Sequence, residues 1–178
     1  VLAVHRQVHV IKKAVYVRVT WNKIGDKKLV KGAEVLVDKI FASEFYFVRD
    51  KFLDLAKHIY DITVMCSLDK ICNLLSNDEE LIKLIGYKRE EETHRQGGVP
   101  QDLEIKDFSY LNDIDFYESE QFKKALNTIH NIYVFDKKDK IDIEQIQETL
   151  NMLYFIFSDL ETDKKVVKEK KKESDMEM

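Results

Sequence analysis

The chain has 178 residues, 44% apolar and 35% charged, with a formal net charge of −4. This length suits one domain that buries roughly 70% of the surface its unfolded form exposes, so disulfides or a structural metal are not needed for folding. Five Gly and one Pro are too few for the tight turns of a β-sandwich or barrel, so the expected class is mainly α: a helical bundle of four to five helices.

Taken in order, residues 1–33 form an N-terminal extension and the only stretch with β character. Val15, Val17 and Val19 alternate with polar neighbours, and Asn22 to Lys27 contains a Gly25-Asp26 turn signal. A hairpin of 14–21 with 28–32 is one reading, and a helix over 27–42 is the competing one. The start, Val1-Leu2-Ala3-Val4, lacks the apolar core and cleavage site of a signal peptide, and the absence of an initiator Met fits a start inside a longer natural chain. The bundle domain is expected over 34–162.

Residues 43–64 give the clearest helical pattern. Phe45, Val48, Phe52, Leu55, Ile59 and Ile62 recur at steps of three and four, with Arg49, Asp50, Lys51, Asp54 and Lys57 opposite. The stripe continues through Leu68, Ile71, Cys72 and Leu75 after a break near Ser67. Cys66 and Cys72, six apart on a helix, would face different directions, so no disulfide and a reducing, cytoplasmic setting are expected. Ser76-Asn77-Asp78-Glu79 reads as a capping box, with Ser76 and Glu79 as partners. Gly97-Gly98 and Pro100 then stop the helix that it starts.

Residues 99–118 read as a long acidic connection, with Lys106 its only basic residue. Helix returns at Ser119, with Phe122, Leu126, Ile129 and Tyr133 on one face. Asp136 to Lys140 is a charged turn. Asp142 with Gln145 caps a last helix striped by Ile143, Ile146, Leu150, Leu153 and Phe157. From Asp163 to Met178 the chain has six Lys and five acidic residues and is expected to be a disordered or frayed tail. No apolar run is long enough to cross a membrane.

The chemistry-bearing candidate is Arg89-Glu90-Glu91-Glu92-Thr93-His94, an Arg and a His separated by four residues near a helix end. The segment 87–95 (YKREEETHR) resembles the signature of the HEPN superfamily, helical-bundle proteins of prokaryotic defence and toxin–antitoxin systems. Residues 45–52 (FYFVRDKF) are similar to the aromatic-rich helix that precedes that signature, and 143–160 fits the last bundle helix, so the resemblance covers roughly 40–160. It implies a homodimer that cuts RNA without a metal or cofactor, with Arg89 binding phosphate and His94 as acid/base. The chemistry suits the residues: an imidazole titrates near neutrality and a guanidinium stabilises a phosphorane's added charge. Five positions along a helix turn about 140°, which is why such a pair is completed across a two-fold axis. The sequence departs from the family pattern at Glu90, where an amide is frequent, and three successive carboxylates repel a phosphate. The alternative is a solvated, charged helix end, with His94 favourable to the helix dipole.

Other candidates are weaker. Asp136 to Gln147 has Lys138 and Lys140 at the ligand positions of a calcium loop and lacks its Gly and final Glu. Asp113, Asp115 and Glu118 could hold magnesium but read more simply as solvated. His58 and His130 read as core-edge or surface residues without metal-ligand spacing. The second functional reading is a non-catalytic helical interaction protein that docks a protein partner.

Overall fold

The computed structural model describes residues 26–176, and the side chains of 32–160. Seven α-helices follow one another: α1 (Asp26–Phe47), α2 (Phe52–Cys66), α3 (Asp69–Leu75), α4 (Asp78–Thr93), α5 (Ser109–Asn112), α6 (Glu120–Tyr133) and α7 (Ile143–Met176). Short 3-10 turns at Ile105–Asp107, Ile114–Glu118 and Lys137–Asp139 link the later ones. Five of the helices are long. The protein is mainly α, as its scarcity of Gly and Pro dictates, and no strand occurs among the described residues. Residues 28–32 are the first turns of α1 rather than the second arm of a hairpin. The first arm, 14–21, lies outside the described residues.

Helix α2 is central, packed against α1, α6 and α7, while α4 packs on α1 and α3. One apolar core joins them. Leu36, Ile40 and Phe41 of α1, Leu55, Ile59 and Ile62 of α2, Phe122 of α6 and Ile146, Leu150 and Leu153 of α7 are all fully buried within it. The Ile146-Leu150-Leu153-Phe157 stripe points inward as its spacing requires, and the Asp142–Gln145 capping box forms in both directions: Gln145 N–H donates to Asp142 Oδ1 at 2.8 Å and Asp142 N–H to Gln145 Oε1 at 3.0 Å. The charged segment from Asp163, expected to fray, continues α7 to Met176. Its Lys and Glu are strong helix formers, so propensity favours helix there.

The expected helix 43–64 is in fact two elements. The chain reverses at 48–51. Asp50 takes a left-handed φ of 55°. Asp50 N–H donates to Phe47 O at 3.1 Å and Lys51 N–H to Tyr46 O at 3.0 Å, the bond pair of a Schellman motif with Asp in the usual Gly position. Val48, counted in the apolar stripe, is 55% exposed at this corner. The helix also breaks between Cys66 and Cys72, which therefore belong to different helices. Both are free, and the Cys72 thiol donates to the Cys66 carbonyl at 3.2 Å. Asn77, not Ser76, caps α4: its side chain accepts from Glu80 N–H at 3.2 Å, whereas Ser76 Oγ donates back to Cys72 O at 2.9 Å and closes α3.

The acidic connection is the largest departure. Ile105, Phe108, Tyr110, Leu111 and Tyr117 of this stretch are buried, so it forms part of the core rather than a solvated loop. Glu44 of α1, 3% exposed, anchors it by accepting the Tyr110 N–H at 3.2 Å. Tyr117 Oη donates to Tyr110 O at 2.7 Å. Burial raises both phenols well above their ordinary pKa, Tyr110 further through Tyr117 and Glu44, and Tyr117 through Asp113 and Glu44.

Candidate functional site

The end of α4 carries the predicted pair. Leu81, Leu84 and Ile85 bury one face of this helix, which packs on α1 and α3. The helix closes at His94, whose N–H reaches the carbonyls of Glu91 and Glu92. Gly97 then turns the chain with φ 68°, and Val99 re-enters the core at 5% exposure.

Arg89 lies on the side of α4 that faces the following connection, with 18% of its side chain exposed. Its guanidinium donates to Gln101 O at 3.1 Å and Leu103 O at 2.9 Å, and stands 3.7 Å from a Glu104 carboxylate oxygen. Gln101 returns a bond from Nε2 to Arg89 O at 2.7 Å. The cation also lies 5.6 Å from the Phe41 ring centroid. Arg89 thus ties the connection to α4. His94 is exposed and its imidazole has no hydrogen-bond or ion-pair partner among the described residues. The two predicted side chains share one helix end but are not joined to each other. Arg89 faces the connection and His94 faces solvent.

The Glu run is not uniform. Glu90 and Glu91 are exposed, whereas Glu92 is 3% exposed and organises the turn. It accepts the Val99 N–H at 3.0 Å and pairs with Lys88 at 3.3 Å and Arg95 at 3.4 Å. Gly98 passes so close that a Cβ there would meet Glu92 O at 2.5 Å. Lys88 bridges from α4 to Asp38 of α1 at 2.6 Å and to Glu91 at 3.0 Å. Burial opposes its charge, but hydrogen bonds to Asp38 and Glu91 and attraction to Asp38 outweigh that and raise its pKa. Beside it a cavity of about 300 Å³ opens between α1 and α4, lined by Val37, Leu84, Tyr87 and the carboxylates of Glu34, Asp38 and Glu91.

Sequence reasoning passed over a third group. Phe45 of α1 carries two guanidiniums against its ring, with Arg49 Cζ 3.8 Å and Arg95 Cζ 3.9 Å from the centroid. Arg49 donates to Phe45 O at 2.8 Å and to Gly97 O at 2.6 Å. The signal was dispersed, because the three residues come from a helix, a reversal and a turn, and only folding brings them together.

The two histidines read as core-edge or surface residues both lie at the core edge. His58 stacks on Tyr46 at 5.3 Å, and its buried Nδ1 has no partner. Burial, then the Lys39 ammonium, pushes its pKa down to about 4. His130 is 9% exposed and meets Tyr60 edge to face. Among the acidic candidates for a cation, Asp113 caps the turn that follows it by accepting Phe116 N–H at 3.2 Å, and Glu118 pairs with Lys123 at 2.9 Å. No group of three His, Cys, Asp or Glu among the described residues is placed to hold a metal ion. Among those residues, no helix is long and apolar enough to cross a membrane. No family model matches the chain, and neither the curated proteins nor the solved structures yield a significant match.

Proposed function

We propose that this chain is a HEPN-like helical protein of defence or toxin–antitoxin type, a cytoplasmic homodimer that cleaves RNA without a metal. The observation that carries the reading is the exposed, unpartnered imidazole of His94 at the end of α4, five residues after Arg89 and next to Arg95 in the chain. A five-long-helix bundle supports it. In this reading His94 takes the proton of an RNA 2′-hydroxyl. The O2′ attacks the adjacent phosphorus, the bond to O5′ breaks, and the leaving oxygen is protonated, giving a 2′,3′-cyclic phosphate and a 5′-hydroxyl. Arg89, held rigid by two carbonyls, contributes charge to the phosphate with its remaining N–H groups. The divergence of the two side chains on one helix makes the partner subunit necessary for a complete site.

The test is cleavage of varied RNAs by the purified protein in EDTA, wild type against His94→Ala. Cleavage lost in the variant supports the reading. A folded, dimeric wild type that leaves every RNA intact overturns it.

A second reading, a non-catalytic helical interaction protein, is favoured by a different observation. At the end of α6, Phe135 is 97% exposed, with Tyr133 at 56% and Ile132 at 55% beside it. Side chains of this size are seldom left together in water without a partner.

A further inference from the structure

Two permanent cations are braced on one ring at the surface. With each Cζ within 4 Å of the Phe45 centroid, the Arg49 and Arg95 charges are held within about 8 Å of each other, inside one Debye length at physiological salt. Their mutual repulsion needs compensation. The ring's negative face supplies part of it.

Carboxylates supply little. Arg95 reaches Glu92 only at 3.4 Å, and that carboxylate also serves Lys88 and the Val99 N–H. Arg49 has no carboxylate partner among the described residues and bonds instead to two neutral carbonyls. A guanidinium carries five N–H donors, of which Arg49 spends two on protein and Arg95 one. Both residues are exposed, so the remaining donors are open to a ligand.

The backbone is shaped to keep this arrangement. Gly97 turns the chain at a φ of 68°, and its carbonyl there accepts from Arg49 Nη2 at 2.6 Å while Arg49 Nη1 donates to Phe45 O at 2.8 Å. Arg49 is thereby fixed rather than left to wander in solvent, which lowers the entropy lost when it binds a ligand.

We propose that Arg49 and Arg95, braced on Phe45, form a binding site for a phosphate group, that of a nucleotide or of a single RNA strand. Two guanidinium forks approaching one anion from two sides match a tetrahedral phosphate with several acceptor oxygens. A planar carboxylate is satisfied by a single fork. The outer faces of stacked guanidiniums also accept nucleobases. The site goes beyond the ribonuclease reading, since binding here requires neither Arg89 nor His94 to act.

Titrations of the full chain with inorganic phosphate, a nucleoside monophosphate and a short single-stranded oligoribonucleotide, followed by calorimetry at low and moderate salt, test it. Both nucleotide probes bind, more weakly as salt rises, and Arg95→Gln and Arg49→Gln each weaken binding about tenfold. An oligoribonucleotide that binds no tighter than the monophosphate assigns the site to free nucleotide, and a clear gain assigns it to the strand. Binding of the monophosphate, which has no phosphodiester to cleave, falls in Arg95→Gln whether or not the protein cuts RNA, which separates this site from the cleavage reading. Because Arg49 also supports the turn, each variant is melted alongside. If Arg49→Gln fails to fold, Arg95→Gln alone decides. Wild-type affinity in a folded Arg95→Gln protein, or no binding of any probe to the wild type at low salt, overturns the proposal.

Discussion

Glu92 is the residue on which the turn after α4 depends, and truncating it has a calculable cost. In Glu92→Ala the buried Val99 N–H, bonded at 3.0 Å in the wild type, loses its acceptor at a site closed to water, at about 1–3 kcal/mol. Lys88 is not orphaned, because Asp38 at 2.6 Å and Glu91 at 3.0 Å remain. Arg95, with 37% of its side chain exposed, loses a long contact worth little in water. The sum is about 1–3 kcal/mol, a fall in melting temperature of roughly 2–12 °C for a protein of this size. Glu92→Gln keeps an oxygen for the Val99 N–H and should lose only about 1 kcal/mol. Urea unfolding of the three proteins, followed by circular dichroism, measures the difference. An alanine variant within about 0.5 kcal/mol of wild type, or a glutamine variant as damaged as the alanine one, would refute the claim that the hydrogen-bond acceptor is what matters.

Three further predictions concern single sites. Gly98→Ala places a Cβ 2.5 Å from the Glu92 carbonyl and 3.2 Å from that of Arg95. Because backbone cannot yield cheaply, thermal melting should show a loss of about 2 kcal/mol, and an unchanged melt would show the turn to be pliant. Asp50→Gly relieves a left-handed φ of 55° and should raise stability by about 0.5 kcal/mol, read as a higher urea midpoint at constant slope. His58, held down to about 4 by burial and Lys39, with Lys57 adding to that and Asp61 and Asp54 opposing, favours folding in its neutral form. That contribution is complete above the unfolded value of about 6.5 and is lost as pH falls toward 4. Allowing for solvent screening of a partly open group, it amounts to about 2 kcal/mol. His58→Gln should flatten the stability profile between these limits, and parallel profiles for the two proteins would exclude the histidine.

Helices α4, α6 and α7 could be read directly because their signals are local: a Gly-Gly stop after α4, Ser119 accepting Phe122 N–H at 3.2 Å, and the reciprocal Asp142–Gln145 box. The reversal at 48–51 could not. The steps of three and four from Phe45 to Ile62 run straight across it, and Asp50 gives no warning, since Asp adopts the left-handed region only occasionally. The stretch 99–118 misled for a different reason. Its acidic residues dominate the composition, and its buried Phe108, Tyr110 and Tyr117 sit on turns too short to show a period. What fixes them is Glu44, 66 positions away from Tyr110, whose burial no helical wheel reveals. The Arg89–His94 spacing was plain in the sequence, but the bonds of Arg89 to Gln101 and Leu103 depend on where a later segment returns.

The three arginines around the end of α4 differ in how far their donors are already engaged, and this decides which substitution is informative. Arg89 bonds to two carbonyls, approaches Glu104 and leaves only 18% of its side chain exposed. Its removal strips the exposed Gln101 carbonyl and the partly buried Leu103 carbonyl of their donor and loosens the 101–104 segment, so Arg89→Ala should lower stability as well as any activity. Arg49 is intermediate, with two carbonyl bonds on an exposed side chain. Arg95 gives up one long contact to a carboxylate that keeps its other partners. A loss of RNA cleavage or binding in Arg89→Ala therefore mixes scaffold with chemistry. The same loss in His94→Ala or Arg95→Gln, where little of the fold depends on the side chain, reports on the site itself.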